Sequence, residues 1–126
     1  MRLEKELVRK ILLAIEASEG SPYEGVELEI DGWTQDQIGY HVMLLAEANY
    51  LIAEDLGGIG DDLAWEAQRL TFAGQEFLDT IRDVEVWRRT KEAAGRAGGV
   101  SLQVMVEIGK AYAKQVLQER TGIVLP

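Results

Sequence analysis

The sequence predicts a mostly α protein with a small antiparallel β-sheet. Three observations carry this. Apolar residues recur at helical spacing in several separate stretches, two short runs flank a glycine-rich turn, and capping residues stand where the helical stretches begin. The chain has 126 residues, 47% of them apolar, which is a folding composition for one domain.

Leu3, Leu7, Val8, Ile11, Leu12 and Ile15 share one helical face, so residues 3–18 read as an amphipathic helix ended by Gly20, Ser21 and Pro22. Val26-Glu27-Leu28-Glu29-Ile30 alternates apolar and acidic, which predicts a half-buried strand, and Asp31-Gly32 turns the chain. Thr34 and Gln37 have the spacing of a capping box. In the helix that follows, Ile38, His41, Val42 and Leu45 face one way, and Asp36, Tyr40, Met43 and Glu47 the other. Asn49 stands where a left-handed residue closes a helix. Residues 50–54 and 63–70 read as the strands of a hairpin, with a glycine-rich tip between them. Thr71 caps a helix through Phe72, Phe77, Leu78 and Ile81. Another helix contains Val84, Val86 and Trp87 and fades into Gly95–Gly99, with a hinge at Gly98-Gly99. Ser101 caps the last helix, which ends near Thr121-Gly122.

A short strand after the first helix and a hairpin after the second is the layout of a winged helix. A full helix-turn-helix has two helices before the wing, and residues 31–49 hold one good helix plus a turn. Residues 1–83 therefore read as a winged-helix-like core. Residues 84–126 read as a C-terminal helical extension that packs on the core or on a second subunit, one domain overall.

Two stretches resemble winged-helix regulators. Tyr40 to Ile52 looks like a recognition helix entering the first wing strand, with Asn49 in the place of a glycine. Arg69-Leu70-Thr71-x-x-Gly74-x-x-Phe77-Leu78 looks like the second wing strand entering the next helix. The chain as a whole, from Leu7-Val8-Arg9-Lys10-Ile11-Leu12 through Trp87 to the last helix, is similar to a family of small prophage-type proteins catalogued as domain of unknown function 2513. The resemblance implies a fold and a phage or mobile-element setting, and no activity.

The placement of charge narrows the function. The net charge is −9, yet residues 16–79 hold fifteen acids and one base, Arg69, while residues 80–126 hold eight bases and five acids. Duplex DNA is held mainly by Lys and Arg against phosphates. The face Asp36, Tyr40, Met43 and Glu47 carries no base, and the hairpin tip adds Asp61 and Asp62. These six are the candidate partner-binding residues, with aromatic and Met character suited to a protein interface. The one basic stretch, Arg82, Arg88, Arg89, Lys91 and Arg96 beside Trp87, is the candidate nucleic-acid site or else a solvated helix face. The last helix has a wide apolar stripe along Leu102, Met105, Val106, Tyr112, Ala113, Val116 and Leu117. Packing on the first helix accounts for part of it, and Val104, Ile108 and Tyr112 are the candidate contacts of a homodimer.

Catalysis finds little support. The chain has no cysteine, its one histidine, His41, falls on an apolar face, and the acid pairs Glu54-Asp55 and Asp61-Asp62 lie at the hairpin tip. Neither a metal nor another cofactor is expected, and the glycines at 57–60 do not continue into a phosphate loop. The N-terminus has no signal-type run, so a bacterial cytoplasm is expected, and the apolar runs are too short for a bilayer. A non-enzymatic protein-binding module is the leading expectation. The alternatives are a regulator holding DNA through residues 82–96 and an acidic DNA mimic that inhibits a nucleic-acid-binding protein.

Overall fold

The structure, a computed structural model, describes residues 1–57 and 63–126. Five helices and two strands follow in the order α1 (Lys5–Ala17), α2 (Gln35–Glu47), β1 (Leu51–Asp55), β2 (Trp65–Leu70), α3 (Phe72–Ile81), α4 (Val84–Arg96) and α5 (Leu102–Thr121). The chain is mostly α with one small antiparallel sheet. It divides into two units, Met1–Glu76 and Phe77–Pro126.

In the first unit, the stripe on α1 buries Leu7, Val8, Ile11 and Leu12 completely. The facing side of α2 buries Ile38, Val42 and Leu45, and the hairpin adds Leu51, Ala67 and Leu70. Each large aliphatic side chain removed from water contributes about 1.5–3 kcal/mol, so this shared apolar centre holds the four elements together. β1 and β2 pair from Asp55↔Trp65 to Leu51↔Leu70 with a bulge between Ile52 and Ala53.

The junction into α3 is held locally. Thr71 Oγ1 accepts the Gly74 N–H (3.0 Å) and donates to the carbonyl of Asn49, so one hydroxyl caps α3 and ties it to the end of α2. Phe72 departs from the expected apolar stripe and is 79% exposed. It occupies the first helical position, well off the Phe77–Leu78–Ile81 face on a wheel of 3.6 residues per turn.

The strand expected at Val26–Ile30 does not form. Val26 makes a single bridge to Ala67, its N–H donating to the Ala67 carbonyl at 2.8 Å, and the pairing stops there. The apolar alternation is still used, because Leu28 is buried while Glu27 and Glu29 are exposed. The main chain is diverted because the Gln35 amide takes the Leu28 carbonyl at 2.9 Å. Among the described residues, no helix lies between Ala17 and Gln35.

In the second unit α5 packs on α4 and on the end of α3. Gly109 permits this approach: a Cβ there would lie 3.2 Å from Thr80 Cγ2 and 3.3 Å from Ile81 Cγ2. Val86, Trp87, Ala94, Met105 and Val116 form the buried centre. Gly98 and Gly99 both have positive φ (81° and 97°), which lets the chain reverse between α4 and α5. Ser101 Oγ caps α5 by accepting the Val104 N–H, and Gly122 ends it in the left-handed conformation.

Candidate protein-interaction surface

α2 is anchored at both ends, so its outward face has a fixed position. Thr34 Oγ1 accepts the Gln37 N–H (3.1 Å), and Gln37 Oε1 accepts the Thr34 N–H (2.9 Å), completing the predicted capping box. At the other end Asn49 adopts φ 64°, as its place in the sequence requires. Asp36 and Glu47 are exposed, and Tyr40 and Met43 are half-buried. The Tyr40 ring meets His41 edge-on, with centroids 5.9 Å apart. Asp36 sits in the first turn, where the helix dipole favours a carboxylate. Glu47 sits on the last helical residue, where the same dipole opposes it, and no base stands in that turn. Asp61 and Asp62, the other two candidates for partner binding, lie outside the described residues.

His41 is fully committed to the fold. Its Nδ1 donates to the Gln37 carbonyl (2.7 Å) and its Nε2 accepts the Glu4 N–H (2.8 Å). The two contacts fix one neutral tautomer and pin the start of α1 to α2, leaving no lone pair for a metal. Among the described residues no group of His, Asp and Glu could hold a metal ion. Glu54 and Asp55 are consecutive in β1 and therefore point to opposite faces, which is not the geometry of a catalytic pair.

The basic stretch is largely occupied by partners within its own unit. Arg82 pairs with Asp79 at 2.8 Å. Arg88 pairs with Glu85 (2.6 Å) and Glu92 (3.1 Å). Arg89 pairs with Glu85 (2.8 Å) and makes a two-pronged contact with Glu119. Lys91 holds its ammonium 5.8 Å from the centre of the Trp87 ring. Trp87 is only 5% exposed, which removes it as a stacking platform for bases. Arg96 is exposed and, among the described residues, has no ion-pair partner. Arg120 grips Asp83, which also caps α4 by accepting the Glu85 and Val86 N–H groups. Hydrogen bonds from Arg120 and from the capped backbone lower the Asp83 carboxyl to about 2. Hydrogen bonds from Arg88 and Arg89 lower Glu85 to about 2 as well. Glu119 and Arg120 were not singled out from the sequence, because they lie 30 and 37 residues from the groups they bind.

On α5, Met105, Gly109 and Val116 are buried, Ile108 and Tyr112 are half-buried, and Val104 is 46% exposed. The open flank of the stripe therefore contains the three candidate oligomer residues. After Gly122 the tail turns back along the helix, with the Pro126 carbonyl accepting from Lys114 Nζ at 2.8 Å.

Electrostatically the first unit has sixteen acids against five bases, a net −11, and the second has eight bases against six acids, a net +2. No helix among the described residues is long and apolar enough to cross a membrane. Fold and surface together define a mostly α chain with one antiparallel hairpin, a strongly acidic first unit, and a second unit in which Arg82, Arg88, Arg89 and Arg120 are held by its own carboxylates. The family model described as hypothetical protein (DUF2513) matches residues 2–101, and the chain belongs to that family. An uncharacterized protein of Haemophilus influenzae is 26% identical over 118 residues, which covers 93% of this chain and 99% of the relative. No solved structure matches the chain.

Proposed function

We propose that this chain is a non-enzymatic, winged-helix-like module of a bacterial cytoplasm, in a phage or mobile-element setting, that binds another protein through the outward face of α2. The order helix, bridge, helix, hairpin, helix supports the winged-helix reading. The face that would read DNA in such a fold is instead acidic, with Tyr40 and Met43 between Asp36 and Glu47. Glu47 is the observation that carries the reading. It is an exposed carboxylate at the unfavourable end of a helix, with no ion-pair or hydrogen-bond partner among the described residues. Such a placement costs about 0.3–1 kcal/mol at a helix terminus, and a partner's base would offset that cost.

Glu47→Lys is therefore expected to raise thermal stability slightly while abolishing partner capture. Asp36→Lys is expected to weaken capture with a small loss of stability. The measurement is paired: melting by circular dichroism, and quantitative affinity capture from a host lysate by the wild type and each variant. A partner retained equally by all three chains would rule out this face.

The −11 charge of the first unit supports a second reading, an acidic mimic of DNA. It requires a basic partner whose capture competes with duplex DNA. A captured partner indifferent to DNA would exclude it while leaving the first reading intact.

A further inference from the structure

Where the expected strand at residues 26–30 leaves β2, a groove of about 450 Å³ opens. Its walls are residues 26–29 and residues 63–66, and its floor comes from the start of α2. Leu28, Ile38 and Trp65 give it an apolar lining, and Glu27, Glu29 and Glu66 stand around it. The volume lies in the usual range for a binding cleft, roughly 300–1,000 Å³.

One wall is a sheet edge. The Leu56 N–H donates to the Ala64 carbonyl, so Ala64 and Glu66 direct their main-chain groups at β1. Alternation then turns the N–H and C=O of Trp65 away from β1, to the side on which Ala67 accepts from Val26. Among the described residues, the Val26–Ala67 bond is the main-chain link between the two walls. The Leu28 carbonyl, next in line, is already used by Gln35.

We propose that this groove docks an extended segment of another protein in which lysine or arginine alternates with apolar residues. The argument is one of complementarity. An added strand bonds through its main chain to the Trp65 edge and places alternate side chains on opposite sides. Glu27 and Glu29 are two positions apart, flank the buried Leu28 and are both exposed. Bases at i and i+2 of an extended ligand have the same spacing, while the intervening apolar side chains meet Leu28, Ile38 and Trp65. The groove uses none of the carboxylates on the outward face of α2, so the two readings stand or fall separately.

The test uses the full chain labelled with ¹⁵N and three series of end-blocked hexapeptides. In these, Val or Ile alternates with Lys, with Ser or with Glu. The Lys series should shift the amides of Leu28 and Trp65 and the Trp65 indole, the last assigned with Trp65→Phe. Affinity should fall about tenfold in the Glu27→Gln/Glu29→Gln variant and fall again as salt is raised, as expected for partly exposed charge pairs. Both positions are exposed, and the variant's own spectrum shows whether it is folded. Any of four results overturns the proposal: no shift at these amides with millimolar Lys peptide, equal shifts from the Glu series, unchanged affinity in the double variant, or the same shifts produced by a short DNA duplex.

Discussion

Replacing Gly74 by alanine tests the junction that aims the hairpin and the outward end of α2. A Cβ at Gly74 would lie 1.9 Å from the Tyr50 carbonyl oxygen and 2.9 Å from its carbon. Carbon and oxygen tolerate about 3.3 Å, so the two backbones must part by more than about 1 Å. The Tyr50 carbonyl cannot simply rotate, because it accepts the Thr71 N–H at 3.1 Å. Moving α3 away instead strains the Thr71 cap on Gly74. Overpacking of this kind costs about 1–3 kcal/mol, and weakening a cap adds about 1. Alanine returns about 1 kcal/mol through its better helix propensity. The net expectation is a loss of about 1–3 kcal/mol. Gly95 in α4 is the control, since a Cβ there meets nothing within 4 Å. Gly95→Ala should stabilise by about 0.5–1 kcal/mol. Urea denaturation followed by far-UV circular dichroism measures both, with an unchanged slope certifying the comparison. A Gly74→Ala chain as stable as the wild type, or a Gly95→Ala chain equally damaged, would refute the steric account.

Three further outcomes are expected. Asp83 and Glu85 are held near 2, below their ordinary 3.8 and 4.5, so their ion pairs contribute fully above about pH 4.5 and are lost as pH falls toward 2. The Asp83→Asn/Glu85→Gln variant should show a flatter decline in stability over that window, and a decline as steep as in the wild type would show that these pairs do not matter. His41→Ala should cost about 2–4 kcal/mol in urea denaturation, from the lost volume and the orphaned Glu4 N–H, and added zinc should leave the wild-type midpoint unmoved. In fluorescence anisotropy the wild type should not bind duplex DNA at low salt, whereas Glu85→Gln/Glu92→Gln/Glu119→Gln should release Arg88 and Arg89 and produce weak, salt-sensitive binding. Tight wild-type binding abolished by Arg88→Gln/Arg89→Gln would restore the DNA-binding reading.

What the sequence made legible was local. Thr34, Thr71 and Ser101 each cap the helix expected of them, and Asn49 adopts the left-handed conformation its position requires. These features depend on residues within a few positions of one another. The strand at 26–30 was misjudged because alternation reports which side chains are buried, not whether the main chain finds a partner. Gln35, a side chain seven residues from Leu28, settled that competition. The pairing of the basic stretch was legible only in part. Its charges are visible in the sequence, but Glu119 and Arg120, which engage Arg89 and Asp83, arrive from another helix.

These two stretches bear on function in opposite ways. In the second unit, charge is consumed within the unit: Arg82, Arg88 and Arg89 are held by Asp79, Glu85, Glu92 and, from another helix, Glu119. In the first unit the absent strand leaves charge and main chain uncommitted. Glu27 and Glu29 stay exposed, and the Trp65 edge faces a groove instead of a neighbour. A net charge of −9 therefore understates the acidity available to a partner. In the second unit Arg82, Arg88, Arg89, Lys110 and Arg120 are engaged by carboxylates of that unit, while the acids of the first unit outnumber its bases sixteen to five. Taken by itself, the first unit presents that excess to a partner, and this favours a basic protein segment over a phosphate backbone.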